Sequence, residues 1–141
     1  MRQAAAFLRN GKVFLHPYSG TTAGFWIFSM PVLVLNEGDE NTGAQILLAL
    51  SNSRENIPHP PTWTGLVDPL LNTAGVKSFN SFMKGAKCVD VSHDQKGVTF
   101  TPTTNGGPRK GFVALTGKGI KAGTSEEELT RGLRAAFDAC E

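Results

Sequence analysis

Ser125-Glu126-Glu127-Glu128-Leu129-Thr130-Arg131-Gly132-Leu133-Arg134-Ala135-Ala136-Phe137-Asp138-Ala139-Cys140 is the stretch on which the fold turns. A serine followed three residues later by a glutamate reads as a capping box, which satisfies free backbone N–H groups of a first helical turn. Glu126 and Glu127 fall where the positive end of a helix dipole favours acids. Leu129, Leu133, Ala136, Phe137 and Cys140 recur at helical spacing and form one apolar face, with Arg131, Arg134 and Asp138 outside it. A helix of this kind closes a domain by burying that face on a sheet.

The sheet is legible just upstream. Lys87–Ser92, Val98–Thr103 and Gly111–Thr116 are extended segments. The turns Asp94–Gly97 and Asn105-Gly106-Gly107-Pro108 separate them, which predicts an antiparallel meander. Further back, Leu66, Val67, Leu70, Leu71 and Ala74 predict a short helix stopping at Gly75, with Pro69 tolerated only in its first turn. Ser78 caps a second piece carrying Phe79, Phe82 and Met83. Asn56–Pro61 is a stiff connection, and Thr42 with Gln45 fits another capping box ahead of Ile46, Leu47, Ala49 and Leu50. Gly24–Leu35, aromatic and β-branched, reads as a central strand or as two joined at Pro31. Asn10-Gly11 reads as the two-residue turn of a hairpin between Ala4–Arg9 and Lys12–His16. The whole predicts one α+β domain over residues 1–141, an antiparallel sheet with packed helices that include a C-terminal amphipathic one.

With 14 basic and 12 acidic residues the net charge is +2, too balanced to demand a nucleic acid as partner. The opening Met1–Arg9 is interrupted by charge too soon for a secretory signal, and no stretch reaches the ~18–20 apolar residues that span a bilayer. A cytoplasmic protein is expected, with Cys88 and Cys140 reduced.

Catalytic and metal patterns are missing from the residues. His16, His59 and His93 do not pair at a ligand spacing, and two distant cysteines make no zinc motif. Cys88 and Asp90 would share one face of a strand, but His93 would point to the other, which dismantles a nucleophile–base pair. From Gly111 to Gly117-Lys118 the phosphate-loop spacing carries one residue too many, and Gly119 stands where Ser or Thr would hold magnesium. No catalytic, cofactor or metal residues are assigned. What remains is surface. Glu37, Asp39 and Glu40 form an acidic loop, and Trp63 beside prolines is either an interface anchor or a lid. Arg109, Lys110, Lys118 and Lys121 form a basic set that would suit single-stranded nucleic acid if aromatic rings stood beside it.

Five pieces of the second half carry a resemblance: Trp63-Thr64-Gly65-Leu66, Val76–Lys87, Phe100-Thr101-Pro102-Thr103, Lys110-Gly111-Phe112-Val113, and Ser125–Leu129 with Leu133–Phe137. Together they resemble the bacterial immunity proteins of contact-dependent growth inhibition, over roughly Trp63 to Cys140. The resemblance implies a cytosolic antidote that binds the C-terminal toxin domain, often a nuclease, of a large exported effector. It brings no catalytic residues. Some members look like the Whirly fold, whose plant representatives bind single-stranded DNA, so a nucleic-acid binder is the alternative. Antidotes to nucleases are often acidic, whereas this chain is slightly basic. The field complementary to a basic cleft would come from Glu37, Asp39 and Glu40, with Trp63 as a further contact.

Overall fold

A computed structural model describes residues 1–141. Its centre is four long antiparallel strands in the order β2 (Lys12–Gly20), β1 (Arg2–Arg9), β5 (Lys87–Asp94) and β6 (Gly97–Asn105). Asn10 and Gly11 both take positive φ, 51° and 75°, which is the geometry a tight β1–β2 turn needs. Two short strands, β3 (Trp26–Phe28) and β4 (Leu33–Asn36), lie end to end along the outer edge of β2. The opposite margin repeats the arrangement, with β7 (Phe112–Ala114) and β8 (Ile120–Ala122) sharing the outer edge of β6.

The aromatic run Gly24–Leu35 is therefore not a central strand. It divides at Pro31 into two edge strands: the Ser29 N–H still bonds the Pro17 carbonyl (3.0 Å) in the β2–β3 register, but Pro31 has no N–H with which to carry the ladder on. The middle of the sheet belongs instead to Ala4-Ala5-Ala6, all essentially inaccessible to solvent. Small side chains there let helices approach the sheet from both sides.

On one face α1 (Thr42–Ser51) and α5 (Glu126–Ala139) cover Ala4, Ala6, Val13, Leu15, Val89, Val91, Val98 and Phe100. Gly132 of α5 sits over the Phe100 ring so closely that a Cβ there would lie 2.7 Å from it. Gly43 backs onto the Glu126 backbone, and its N–H donates to Thr130 Oγ1 at 2.9 Å, which locks the two helices together. On the other face α2 (Asp68–Ala74) and α3 (Phe79–Met83) cover Ala5, Phe7, Phe14 and Cys88, with Phe82 edge-on to Phe7 at 5.1 Å. A single turn, α4 (Gly107–Lys110), links β6 to β7.

The caps follow the sequence unevenly. Ser125 Oγ accepts from the Glu128 N–H (3.2 Å), and the Glu128 carboxylate accepts from the Gly123 N–H (2.6 Å) rather than from that of Ser125. Ser78 caps α3 by accepting from the Ser81 N–H, and α2 ends at Gly75 in the left-handed conformation, with Pro69 in its first turn. The Thr42/Gln45 capping box does not form. Asn41 stands at the N-cap, and Thr42 Oγ1 donates to the Asp39 carbonyl instead.

Candidate functional site

The acidic loop ends beside the start of α5, an adjacency that separate readings of Glu37–Glu40 and Glu126–Glu128 did not reveal. Glu37 and Gly38 form one wall of a groove of about 260 Å³, and Leu133, Arg134, Phe137 and Asp138 of α5 form the other. Its neighbour, about 360 Å³, is lined by Glu40, Glu126, Glu127, Thr130, Arg131 and Arg134. Thr130 and Arg134 border both, so the two grooves are one continuous surface. Five carboxylates and two guanidinium groups line it, and one guanidinium is spent on its neighbour, Arg131 to Glu127 at 2.9 Å. Asp39 lines neither groove. Its Oδ1 accepts from the Asn41 N–H at 2.7 Å, which shapes the turn that carries Glu37 and Glu40. The floor of the first groove, Val13, Leu133 and Phe137, is apolar core flanked by Glu37 and Asp138, whereas the second groove, with Glu40, Glu126 and Glu127, is lined by polar side chains alone.

Trp63 lies elsewhere. The acidic loop leaves β4 beside Lys12, whereas Trp63 reaches Phe25 near Gly20, at the far end of β2. At about 3.3 Å per residue, those ends are roughly 26 Å apart. Trp63 is 53% exposed and stands edge-on to Phe25 (5.9 Å) and His59 (5.4 Å). It forms the mouth of an apolar cleft of about 250 Å³ whose lining includes His16, Tyr18, Trp26, Phe28, Leu66, Leu70 and Phe79. His16, at a strand end in the sequence pattern, lies within β2 and is buried. Its imidazole, 4.5 Å from the Phe28 ring, is desolvated by burial, which pulls its pKa down to about 4 despite the hydrogen bond between Nδ1 and the Pro17 carbonyl.

The basic set lies along the outer margin of β6 and beyond its end. Arg109 and Lys110 occupy α4, Lys118 lies 3.6 Å from the Glu141 side-chain carboxylate, and Lys121 donates to Thr99 Oγ1 at 2.8 Å. Phe112, two residues beyond Lys110, is half-buried against Phe7 and Phe79. Cys88 and Asp90 share a face, and His93, opposite Val98, occupies the other. Burial pushes the Cys88 thiol well up, with the Asp90 charge adding to it, which keeps the sulfur protonated. The structure contains no cluster of three or more His, Cys, Asp or Glu able to hold a metal ion, and no helix long and apolar enough to cross a membrane.

An acid-rimmed groove and an aromatic-mouthed cleft on a rigid α+β frame define a protein equipped for recognition. The sequence matches the model of the CDI immunity protein family over residues 28–140, and the chain belongs to that family. The match begins well before Trp63, so the resemblance reaches β3. It makes the chain an immunity protein of contact-dependent growth inhibition, which neutralises a toxin domain of that system. No curated protein matches the sequence. Among solved structures, a protein of unknown function from Neisseria meningitidis shares the fold with a TM-score of 0.81, at 19% identity, over 99% of this chain and 95% of that one. A chain of the CdiA-CT/CdiI toxin and immunity complex from Yersinia pseudotuberculosis shares it with a TM-score of 0.74, also at 19% identity, over 99% of this chain and 97% of that one.

Proposed function

We propose that the toxin docks on the acid-rimmed surface between the β4–α1 loop and α5, that the toxin is a nuclease, and that binding alone neutralises it in the cytoplasm. The observation that carries this reading is the convergence of Glu37 and Glu40 with Glu126, Glu127 and Asp138 along two adjoining grooves. A nuclease presents a basic cleft to phosphates, and an anionic rim on the antidote steers association and occupies that cleft by the same electrostatics. A chain of net charge +2 needs such local segregation to offer a negative face at all. Asp39 contributes by holding the loop, and Trp63 stands outside this contact.

The quadruple variant Glu37→Gln, Glu40→Gln, Glu126→Gln, Glu127→Gln tests the reading against the toxin encoded beside the gene. Isothermal titration at two ionic strengths is expected to give at least tenfold weaker binding and a flatter salt dependence than wild type. Unchanged affinity and salt slope, in a variant that keeps its melting temperature, would refute the acidic surface. A toxin shown to cleave no nucleic acid would refute the nuclease assignment alone.

A further inference from the structure

The cleft behind Trp63 is built differently from a recognition groove on a flat surface, and nothing in the toxin-binding reading uses it. Its lining is almost wholly apolar, yet two polar side chains, His16 and Tyr18, contribute to it. His16 is 2% exposed. Its Nδ1 is committed to the Pro17 carbonyl at 2.8 Å, and Pro17 offers only an acceptor there, so Nδ1 carries the proton and Nε2 is a lone-pair acceptor. Nε2 has no protein partner. The only fully buried side-chain nitrogen or oxygen without a partner is Arg9 Nε, so the small area that His16 keeps open includes Nε2. Nε2 is thus an acceptor reached only through that small opening, with no donor from the protein to satisfy it. Phe25 and Trp63, both more than half exposed, extend the apolar surface outward from that point.

We infer that this cleft is a binding site for one aromatic ring carrying a single hydrogen-bond donor, a phenol or an indole, whose O–H or N–H donates to His16 Nε2. The volume of about 250 Å³ lies below the roughly 300–1,000 Å³ of drug-sized ligand sites and suits a single ring system. Phe28, Phe79 and Trp63 supply ring faces and edges around it. The ring could arrive free or as a tyrosine or tryptophan side chain of a polypeptide, and the chemistry recognised is the same.

The protein supplies its own reporter, because its two tryptophans, Trp26 and Trp63, both line the cleft. Intrinsic fluorescence, excited at the red edge of tryptophan absorption, is titrated with p-cresol and with toluene up to the solubility limit of toluene. The free immunity protein is used, so the outcome is independent of where the toxin docks. The cleft should favour p-cresol about fivefold over toluene, the value of one net hydrogen bond. That preference should vanish in His16→Phe, and Trp63→Ala should weaken both probes. Saturable binding of N-acetyl-tyrosinamide would identify a polypeptide source for the ring, and binding of p-cresol alone a free ligand. No saturable response to either probe would overturn the site. Equal or tighter binding of toluene would overturn the donor requirement, and so would a wild-type preference that survives in His16→Phe. Because Trp63 is exposed, Trp63→Ala keeps the test decisive even if His16→Phe fails to fold.

Discussion

His16 makes the stability of this protein depend on pH in a direction and window that its surroundings fix. The imidazole is buried on the β2 strand among Phe7, Tyr18 and Phe28, and burial holds its pKa at about 4 against an ordinary value of 6.5. Between those two values the unfolded chain binds a proton at this site and the folded chain does not, so unfolding takes up protons and stability falls as the solution is acidified. Above pH 6.5 the contribution is complete, and below about pH 4 it is gone. The displacement corresponds to about 3 kcal/mol, since each pKa unit is worth about 1.4 kcal/mol. Asp90 works in the opposite sense. Its carboxyl is desolvated and pushed up, so what it contributes is present in acid and lost as pH rises through its folded pKa. The cleanest reading therefore comes from urea unfolding at pH 6.5 and pH 5, wild type against His16→Phe. Wild type should lose about 2 kcal/mol more than the variant over that step. Equal slopes, or an NMR titration of His16 with a midpoint near 6.5, would refute the burial argument.

Three further perturbations probe the frame. Gly132→Ala places a Cβ against Phe100, which is fully buried and has no room to retreat, and should cost about 2 kcal/mol by chemical denaturation. Ser125→Ala removes the hydroxyl that accepts from the Glu128 N–H and should cost about 1 kcal/mol, with Ser125→Asp restoring most of it. Thr130→Val should loosen α1 from α5 by orphaning the Gly43 N–H, lowering the melting temperature and raising amide exchange at Gly43.

How much of the fold the residues disclose follows from how local each signal is. The terminal helix, the Asn10-Gly11 turn, the Ser78 cap and the β5–β6–β7 meander are written in short-range patterns, and each forms where those patterns place it. The centre of the sheet was illegible because Ala4-Ala5-Ala6 has poor strand propensity. It is extended only because helices press on both faces and larger side chains would not fit. Gly24–Leu35 divides at Pro31 as its sequence allows, and only its place is illegible: its residues suit a central strand, but both halves pair with the outer side of β2. Of the candidate site, Glu37 and Glu40 were visible as an acidic loop, yet their meeting with Glu126 and Glu127 joins positions far apart in the chain. The free nitrogen of His16 had no signature at all, since it depends on what lies beneath Trp63.

The doubled short strands on each flank have a bearing on how any partner engages. A long bare edge strand invites a foreign segment to extend the sheet through main-chain bonding, the route by which many proteins capture peptides and many aggregate. Here β2 and β6, the strands that would offer such a template, are already paired on both sides, and the outermost backbone is broken into pieces of three or four residues. Recognition is pushed onto side chains, where exchanging a few residues retunes partner choice without disturbing the frame, and the ladder itself is withheld from strangers.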